Sequence, residues 1–146
     1  MLNTTITSAN AVLTLLVPPI YSTPFQIQGF ASDKAFAMES IQTAEVNMGV
    51  DARLTAGFTP MPRKQTISLQ ADSPSKAFFM QVYRAMQIAK EVFYFSGNLL
   101  LTSTNESFTM TRGILTDMPI SPDGQKVLQP MDFIITWESV IQIYTA

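Results

Sequence analysis

Residues 65–90 read QTISLQADSPSKAFFMQVYRAMQIAK, and two different periods meet in them. In the first part, Ile67 and Leu69 alternate with Thr66, Ser68 and Gln70, the period of two that marks a half-buried strand. Asp72-Ser73-Pro74 then supplies an N-cap and a proline at the first helical position, where a missing N–H costs nothing. Phe78, Phe79, Val82, Ala85, Met86 and Ala89 come next at helical spacing, while Lys76, Gln81, Arg84 and Lys90 fall largely off that stripe. This predicts one helix over 74–90, and a helix with one apolar stripe needs a sheet to lie on.

The flanking sequence supplies strands. Residues 12–17 are apolar on both sides with only Thr14 interrupting, as a doubly buried strand would be, and Pro18-Pro19 ends them. In 25–30, Phe25 and Ile27 oppose Gln26 and Gln28. Between Ala35 and Met48, Phe36 and Met38 share one parity, Ile41 breaks it, and Ala44, Val46 and Met48 resume it against Thr43, Glu45 and Asn47. That pattern favours a strand bent or bulged near Ser40 over a helix. Met48-Gly49-Val50-Asp51 reads as a turn, with Leu54, Ala56 and Phe58 running back, so 36–58 is expected to form a long, polar-sided hairpin closed by Pro60 and Pro62.

Downstream, 92–101 carries aromatics and leucines around Gly97, 102–107 is a polar turn, and 108–116 pairs back with Phe108 and Met110 opposed by Thr109 and Thr111. Ser121-Pro122-Asp123-Gly124 is a strong turn. Phe133, Ile135 and Trp137 alternate with Ile134, Thr136 and Glu138 in a final strand reaching towards Tyr144. Residues 1–10 (MLNTTITSAN) read as a polar arm. With no repeat and no linker, 1–146 reads as one α+β, mainly β domain of seven or eight strands and one helix.

Composition narrows the function. Across 146 residues there are 9 Lys+Arg and 11 Asp+Glu, a net charge of −2, and no His or Cys. Triads, cysteine nucleophiles, imidazole acid–base chemistry and ordinary structural zinc sites are thereby excluded. Charged residues make up 14% of the chain and hydrophobic ones 47%, against about 25% charged in a typical soluble domain. Such a chain is expected to hide much of its exterior against copies of itself or partners. The apolar stretch 11–20 is far short of the ~20 residues that span a bilayer. It also lacks the basic lead of a signal peptide, because no Lys or Arg precedes Lys34.

Little remains for chemistry. The glycines fit neither GxGxxG nor a Walker A loop. Asp117, Asp123 and Asp132 surround one loop region and are the best candidates for paired carboxylate work, but turn and strand-end positions account for them as solvated residues. Lys34, Arg53, Arg63, Lys64 and Arg112 are too few for nucleic-acid binding at a pI near 4.9, and scattered surface charge explains them better. The reading is a non-enzymatic domain that assembles, with no cofactor, no metal, no small-molecule substrate and no membrane. Contacts are expected from the hairpin (Glu45, Asn47, Met48, Val50, Arg53), from the basic pair Arg63-Lys64, and from Arg112, Asp123 and Lys126, since exposed strand edges pair readily unless covered.

Three stretches carry a resemblance: AEVNMGVDARLTAGFTP (44–60), QTISLQADSPSKAFF (65–79), and TRGILTDMP with GQKVLQPMDFIITWESV (111–119 and 124–140). They resemble a family of small tail proteins of contractile-tailed bacteriophages, similar in fold to tail-tube proteins. The resemblance implies an antiparallel β-sandwich or half-barrel with a flanking helix and a long extended loop. It further implies a hexameric ring whose sheets join into a continuous β-barrel, with the hairpin reaching the adjacent ring and genomic DNA passing through without specific binding. The ring would belong to the inner tube or, favoured here, to its baseplate-proximal initiator, beside tube, baseplate or sheath proteins in a virion tail assembled in the host cytoplasm. No catalytic residue comes with the family. The alternatives are a component of a type VI secretion-like tube and, further off, a carbohydrate-binding or carbohydrate-active module at Asp117 and Asp132.

Overall fold

A computed structural model describes residues 11–18, 20–31, 35–102, 104–121, 124 and 127–144. Its elements are β1 (Ala11–Leu16), β2 (Phe25–Gln26), β3 (Phe36–Met38), β4 (Ala44–Met48), β5 (Leu54–Phe58), β6 (Arg63–Leu69), α1 (Lys76–Ala89), β7 (Phe95–Leu101), β8 (Glu106–Asp117) and β9 (Met131–Tyr144). Seven strands form one antiparallel sheet in the order β2-β1-β7-β8-β9-β6-β3, and β4-β5 form a separate hairpin. The protein is mainly β with one helix and a long hairpin, as the sequence predicts. Among the described residues the main sheet is open and backed by a helix, and no barrel closes.

The alternating residues meet the helical stripe on one side of this sheet. Leu13 and Leu15 of β1, Ile67 and Leu69 of β6, Phe95 of β7, and Phe133, Ile135 and Trp137 of β9 are fully buried with Phe79 and Val82 of α1. Phe79 stacks on Phe133 at 4.5 Å between ring centroids, and Phe78 lies parallel to Phe25 at 4.7 Å. Each such side chain contributes about 1.5–3 kcal/mol on leaving water. The doubly buried reading of 12–17 does not hold, because Val12, Thr14 and Leu16 stay half-exposed. Among the described residues, α1 covers one face of the sheet and no second layer covers the other.

The predicted strand 25–30 shortens to β2 because the chain turns away at Gly29, whose φ is +73°. Residues 27–31 then act as a strap between the two sides of the sheet. The Ile27 N–H donates to Leu13 O of β1 at 2.9 Å, whereas Gly29 O accepts from Gln70 N at 2.8 Å and Ala31 N–H donates to Ser68 O of β6 at 2.9 Å. Ser73 of the expected helix cap, together with Ser75, holds this strap instead. Ser73 Oγ donates to Gln28 O, and Gln28 N–H donates to Ser75 Oγ, both at 2.6 Å. Ser75 is the N-cap without a capping side-chain bond, and the helix begins at Lys76, two residues later than predicted. It ends at Ala89, where Lys90 adopts the left-handed conformation and donates to Met86 O.

A methyl group on Gly29 would meet Ser73 Oγ at 2.5 Å. Gly29→Ala combines that contact with a left-handed backbone costing about 1–2 kcal/mol for a non-glycine residue. Its unfolding midpoint in urea is expected to fall by the equivalent of about 2–4 kcal/mol once local overpacking is added. An unchanged midpoint would show that the strap is not clamped to the helix start.

The hairpin also differs from its predicted extent of 36–58. β3 pairs with β6 in the main sheet (Phe36↔Ile67, Met38↔Gln65), and Glu39 N–H reaches Lys64 O. Ile41, which breaks the alternation, lies in the connection between the two parts. Within 36–58 it is β4 and β5 that stand free of the main sheet, joined by a turn in which Gly49 N–H donates to Arg53 O and Ala52 has φ +61°.

Candidate assembly surface

In the free hairpin Ala44 opposes Phe58, Val46 opposes Ala56, and Met48 opposes Leu54, while Glu45 opposes Gly57 and Asn47 opposes Thr55. Side chains alternate across a pleat, so the first three pairs form an apolar face and the last two a polar one. The apolar face is uncovered: Phe58 is 85% exposed, Met48 65% and Leu54 59%. Val50 at the tip is wholly exposed. Single exposed apolar residues need no explanation, but a contiguous apolar face marks an interaction site. A lone two-stranded ribbon is marginal in water, so a partner on that face would also stabilise it.

At the hairpin base lies a groove of about 690 Å³, between residues 41–43 and 58–63 on one side and Tyr94, Arg112, Ile114, Thr136, Trp137 and Glu138 on the other. The Arg112 guanidinium lies 4.6 Å from the Tyr94 ring centroid and donates to its hydroxyl at 3.3 Å. The Tyr94 contact, with a smaller contribution from the Glu138 carboxylate, raises the Arg112 pKa further above its ordinary value. Its charge is therefore permanent at any physiological pH. Arg63 donates from Nη1 to Met61 O at 3.1 Å and Glu138 O at 3.2 Å, tying the return of the hairpin to β9.

Of the residues expected to make contacts, Glu45, Asn47, Met48, Val50 and Arg53 lie on the free hairpin, and Arg63 and Arg112 share the groove. Lys64 is exposed on β6 outside the groove lining. Asp123, Lys126 and Lys34, together with the arm 1–10, lie outside the described residues. The sequence does not single out Tyr94 and Glu138 for contact, because aromatic and alternating runs read as core and strand. Val46, Leu54 and Phe58 read as strand residues, although their shared parity across a turn already implies one apolar face.

The carboxylate candidates are less suggestive. Asp117 and Asp132 line one small cleft with Ser121, and Asp132 Oδ1 accepts from Ser68 Oγ at 2.5 Å. Among the described residues no group of three or more acidic side chains could hold a metal ion. Among them, too, no helix is long and apolar enough to cross a membrane.

One edge of the sheet adjoins the groove. β6 stops at Arg63 opposite Trp137, but β9 continues to Tyr144 along β8. Among the described residues, 138–144 therefore have a strand on one side only, and Ile141 and Ile143 there are 56% and 53% exposed.

The family described as tail fiber protein gp32 matches residues 4–141. No curated protein matches the sequence at a significant level. In fold the protein is similar to a chain of the anti-feeding prophage baseplate, at 11% identity, with 92% of this chain and 93% of that one covered and a TM-score of 0.63. It is also similar to a chain of the sheath/tube terminator of PVC, an extracellular contractile injection system, at 10% identity, 95% and 96% coverage and a TM-score of 0.66. A chain of the tube-terminating cap of the anti-feeding prophage is similar at 10% identity, 99% and 95% coverage and a TM-score of 0.59.

Proposed function

The chain belongs to the tail fiber protein gp32 family, and from that premise we propose that it is a structural component of a contractile phage tail, acting by assembly and not by catalysis. The observation that carries this reading is the apolar hairpin face standing free of the core beside an open sheet edge. Both features are liabilities in a free monomer and contacts in an assembly.

In the fuller form of this proposal, about six copies close into a ring at the baseplate end of the tail tube or within the tube itself, next to tube, baseplate or sheath proteins of the virion. Heterologous contacts that close by rotation generate such rings. A net charge of −2 suits a conduit through which DNA passes without being held. The fold shared with baseplate, terminator and cap chains supports a tail position. Those particles are an extracellular contractile injection system and the anti-feeding prophage, which favours a tail-like injection particle as the second reading.

The test is native mass by light scattering, with negative-stain images of the same fractions. Closed particles of about six times the 16.2 kDa chain mass are expected. A chain that stays monomeric at high concentration, and also when mixed with purified tubes and baseplates, would exclude the proposal. Particles that co-purify with injection complexes but not with phage tails would favour the second reading.

A further inference from the structure

At Arg112 the main sheet departs from regularity. Phe95 of β7 faces Gly113 and Gly97 faces Met110, so Thr111 and Arg112 of β8 both stand opposite Ser96. Arg112 takes φ +54°, a left-handed conformation unfavourable for a residue with a Cβ. Bulges of this kind re-aim a side chain, and a strained backbone persists where its surroundings over-determine it. Here the re-aimed side chain is an exposed guanidinium, stacked on Tyr94 in the wall of the groove at the hairpin base.

The groove is mostly apolar, with Ile41, Phe58, Met61 and Ile114 in its lining, yet its charge is unbalanced. Its charged residues are Arg63, Arg112 and Glu138. Among the described residues neither guanidinium is in an ion pair. Arg63 donates to two backbone carbonyls and Arg112 to the Tyr94 hydroxyl, while the Glu138 carboxylate acts on Arg112 only at longer range. Two cations against one carboxylate leave the groove net positive on a chain of net charge −2. The arginine fork has five N–H donors and matches a carboxylate, and the one bond to Tyr94 leaves most of it open.

These features select an occupant. The wall at 58–63 cannot continue a backbone ladder at Pro60 or Pro62, which lack an N–H, so side chains must hold whatever lies there. The volume of about 690 Å³ is within the ~300–1,000 Å³ of ligand pockets. This chain's own spare segments suit the charge poorly. Its arm 1–10 has no Asp or Glu, and the hairpin tip sets Asp51 beside Arg53, with the carboxylate accepting from Arg53 N–H.

Resting on the reading of the chain as a tail component, we propose that the groove seats an acidic, apolar segment of a different tail protein. An aliphatic or aromatic side chain lies against Ile41, Met61 and Ile114, and a neighbouring Asp or Glu carboxylate lies on the open fork of Arg112.

The test uses the full chain and an array of short overlapping peptides covering the other tail proteins of the particle and this chain itself. Peptides of another tail protein that join an apolar residue to an acid are expected to bind. Changing that acid to Asn or Gln should weaken binding about tenfold, as loss of one side of a partly desolvated charge pair does. Arg112→Gly suits the left-handed backbone and should lose the same tenfold while melting close to the parent. Arg112→Lys keeps the charge without the flat fork and should fall between them. Lys64→Ala, exposed outside the groove lining, is the control. Binding indifferent to the peptide's acid overturns the proposal, a result that needs no altered chain. So does an absence of binding to any other tail protein, or binding confined to peptides of this chain, which would make the occupant a second copy. If the chain enters tail particles but no peptide meets these criteria, the groove proposal falls and the proposed function stands. If acid-dependent binding is found but the chain joins no tail particle, the proposed function falls and the groove proposal stands.

Discussion

Replacing Gly113 with alanine is expected to cost about 3 kcal/mol of folding stability, at the upper end of what overpacking a core does. A methyl group there would lie 2.4 Å from Trp137 Cε3 and 2.6 Å from Cζ3. The ring has little room to retreat. Trp137 is fully buried, its Nε1 donates to Gln65 Oε1 at 3.0 Å, and Gln65 is itself buried. On its far side, a methyl at Gly97 would already meet Trp137 Cη2 at 3.1 Å and Leu15 Cδ2 at 2.9 Å. Moving the indole therefore breaks a buried hydrogen bond, at about 1–3 kcal/mol, or displaces packed neighbours. For a domain of this size the melting temperature should fall by about 6–12 °C. Gly57→Ala is the control, because nothing lies within 4 Å of a methyl group there. It should remain within about 0.5 kcal/mol of the parent, as surface changes do. Urea titration of both variants checks the pair, and equal midpoints would mean that the indole does not sit against Gly113.

Removal of residues 43–56 and closure of the gap with Asn-Gly should have the largest effect on assembly and almost none on folding. The ends left are Gln42 and Gly57, which flank the paired residues Ala44 and Phe58 at the hairpin base, so a short link can join them. No residue of β4 or β5 belongs to the hydrophobic core or packs against it. The shortened chain should therefore melt within a few degrees of the parent, since about 1 kcal/mol corresponds to 2–4 °C here. Its native mass should be that of a single chain under conditions where the parent assembles. If the shortened chain still assembled, the hairpin would not be the junction between copies, whatever the fate of the particle as a whole.

The elements are legible wherever one period runs unbroken. Ile67 and Leu69, then Phe78, Phe79 and Val82, announce a strand followed by a helix, and all five are buried where the patterns place them. Phe133, Ile135 and Trp137 are the same case. Failures arise where a residue's partner is distant in sequence. Ser73 and Ser75 carry cap-like chemistry, but Gln28 lies over forty residues upstream and competes for both hydroxyls. The leucines of β1 suggest two buried faces because composition cannot show that only one side of the sheet is covered. In the hairpin, apolar alternation is visible but burial is not, so residues that normally build a core prove to be surface. The groove is the least legible feature, since Tyr94, Arg112 and Glu138 are joined only by the pairing of β8 with β9 and of β7 with β8.

The strand order also constrains how the chain can reach this state. β9 lies between β8 and β6, although it is the last strand in the sequence, and β1 pairs with β7, Ala11 opposite Leu101. During synthesis β6 can find its β3 neighbour at once, but its other edge must wait until β9 has left the ribosome. β1 likewise waits for β7. A sheet closed by such long-range pairings belongs to the slower folders, on the millisecond-to-second scale, and its apolar strands stay exposed meanwhile. The local hairpin β4-β5 needs no such wait and can form within microseconds. The surface assigned here to joining copies is therefore available before the domain that carries it is complete, and dilution of nascent chains or a chaperone would be what keeps early encounters from going astray.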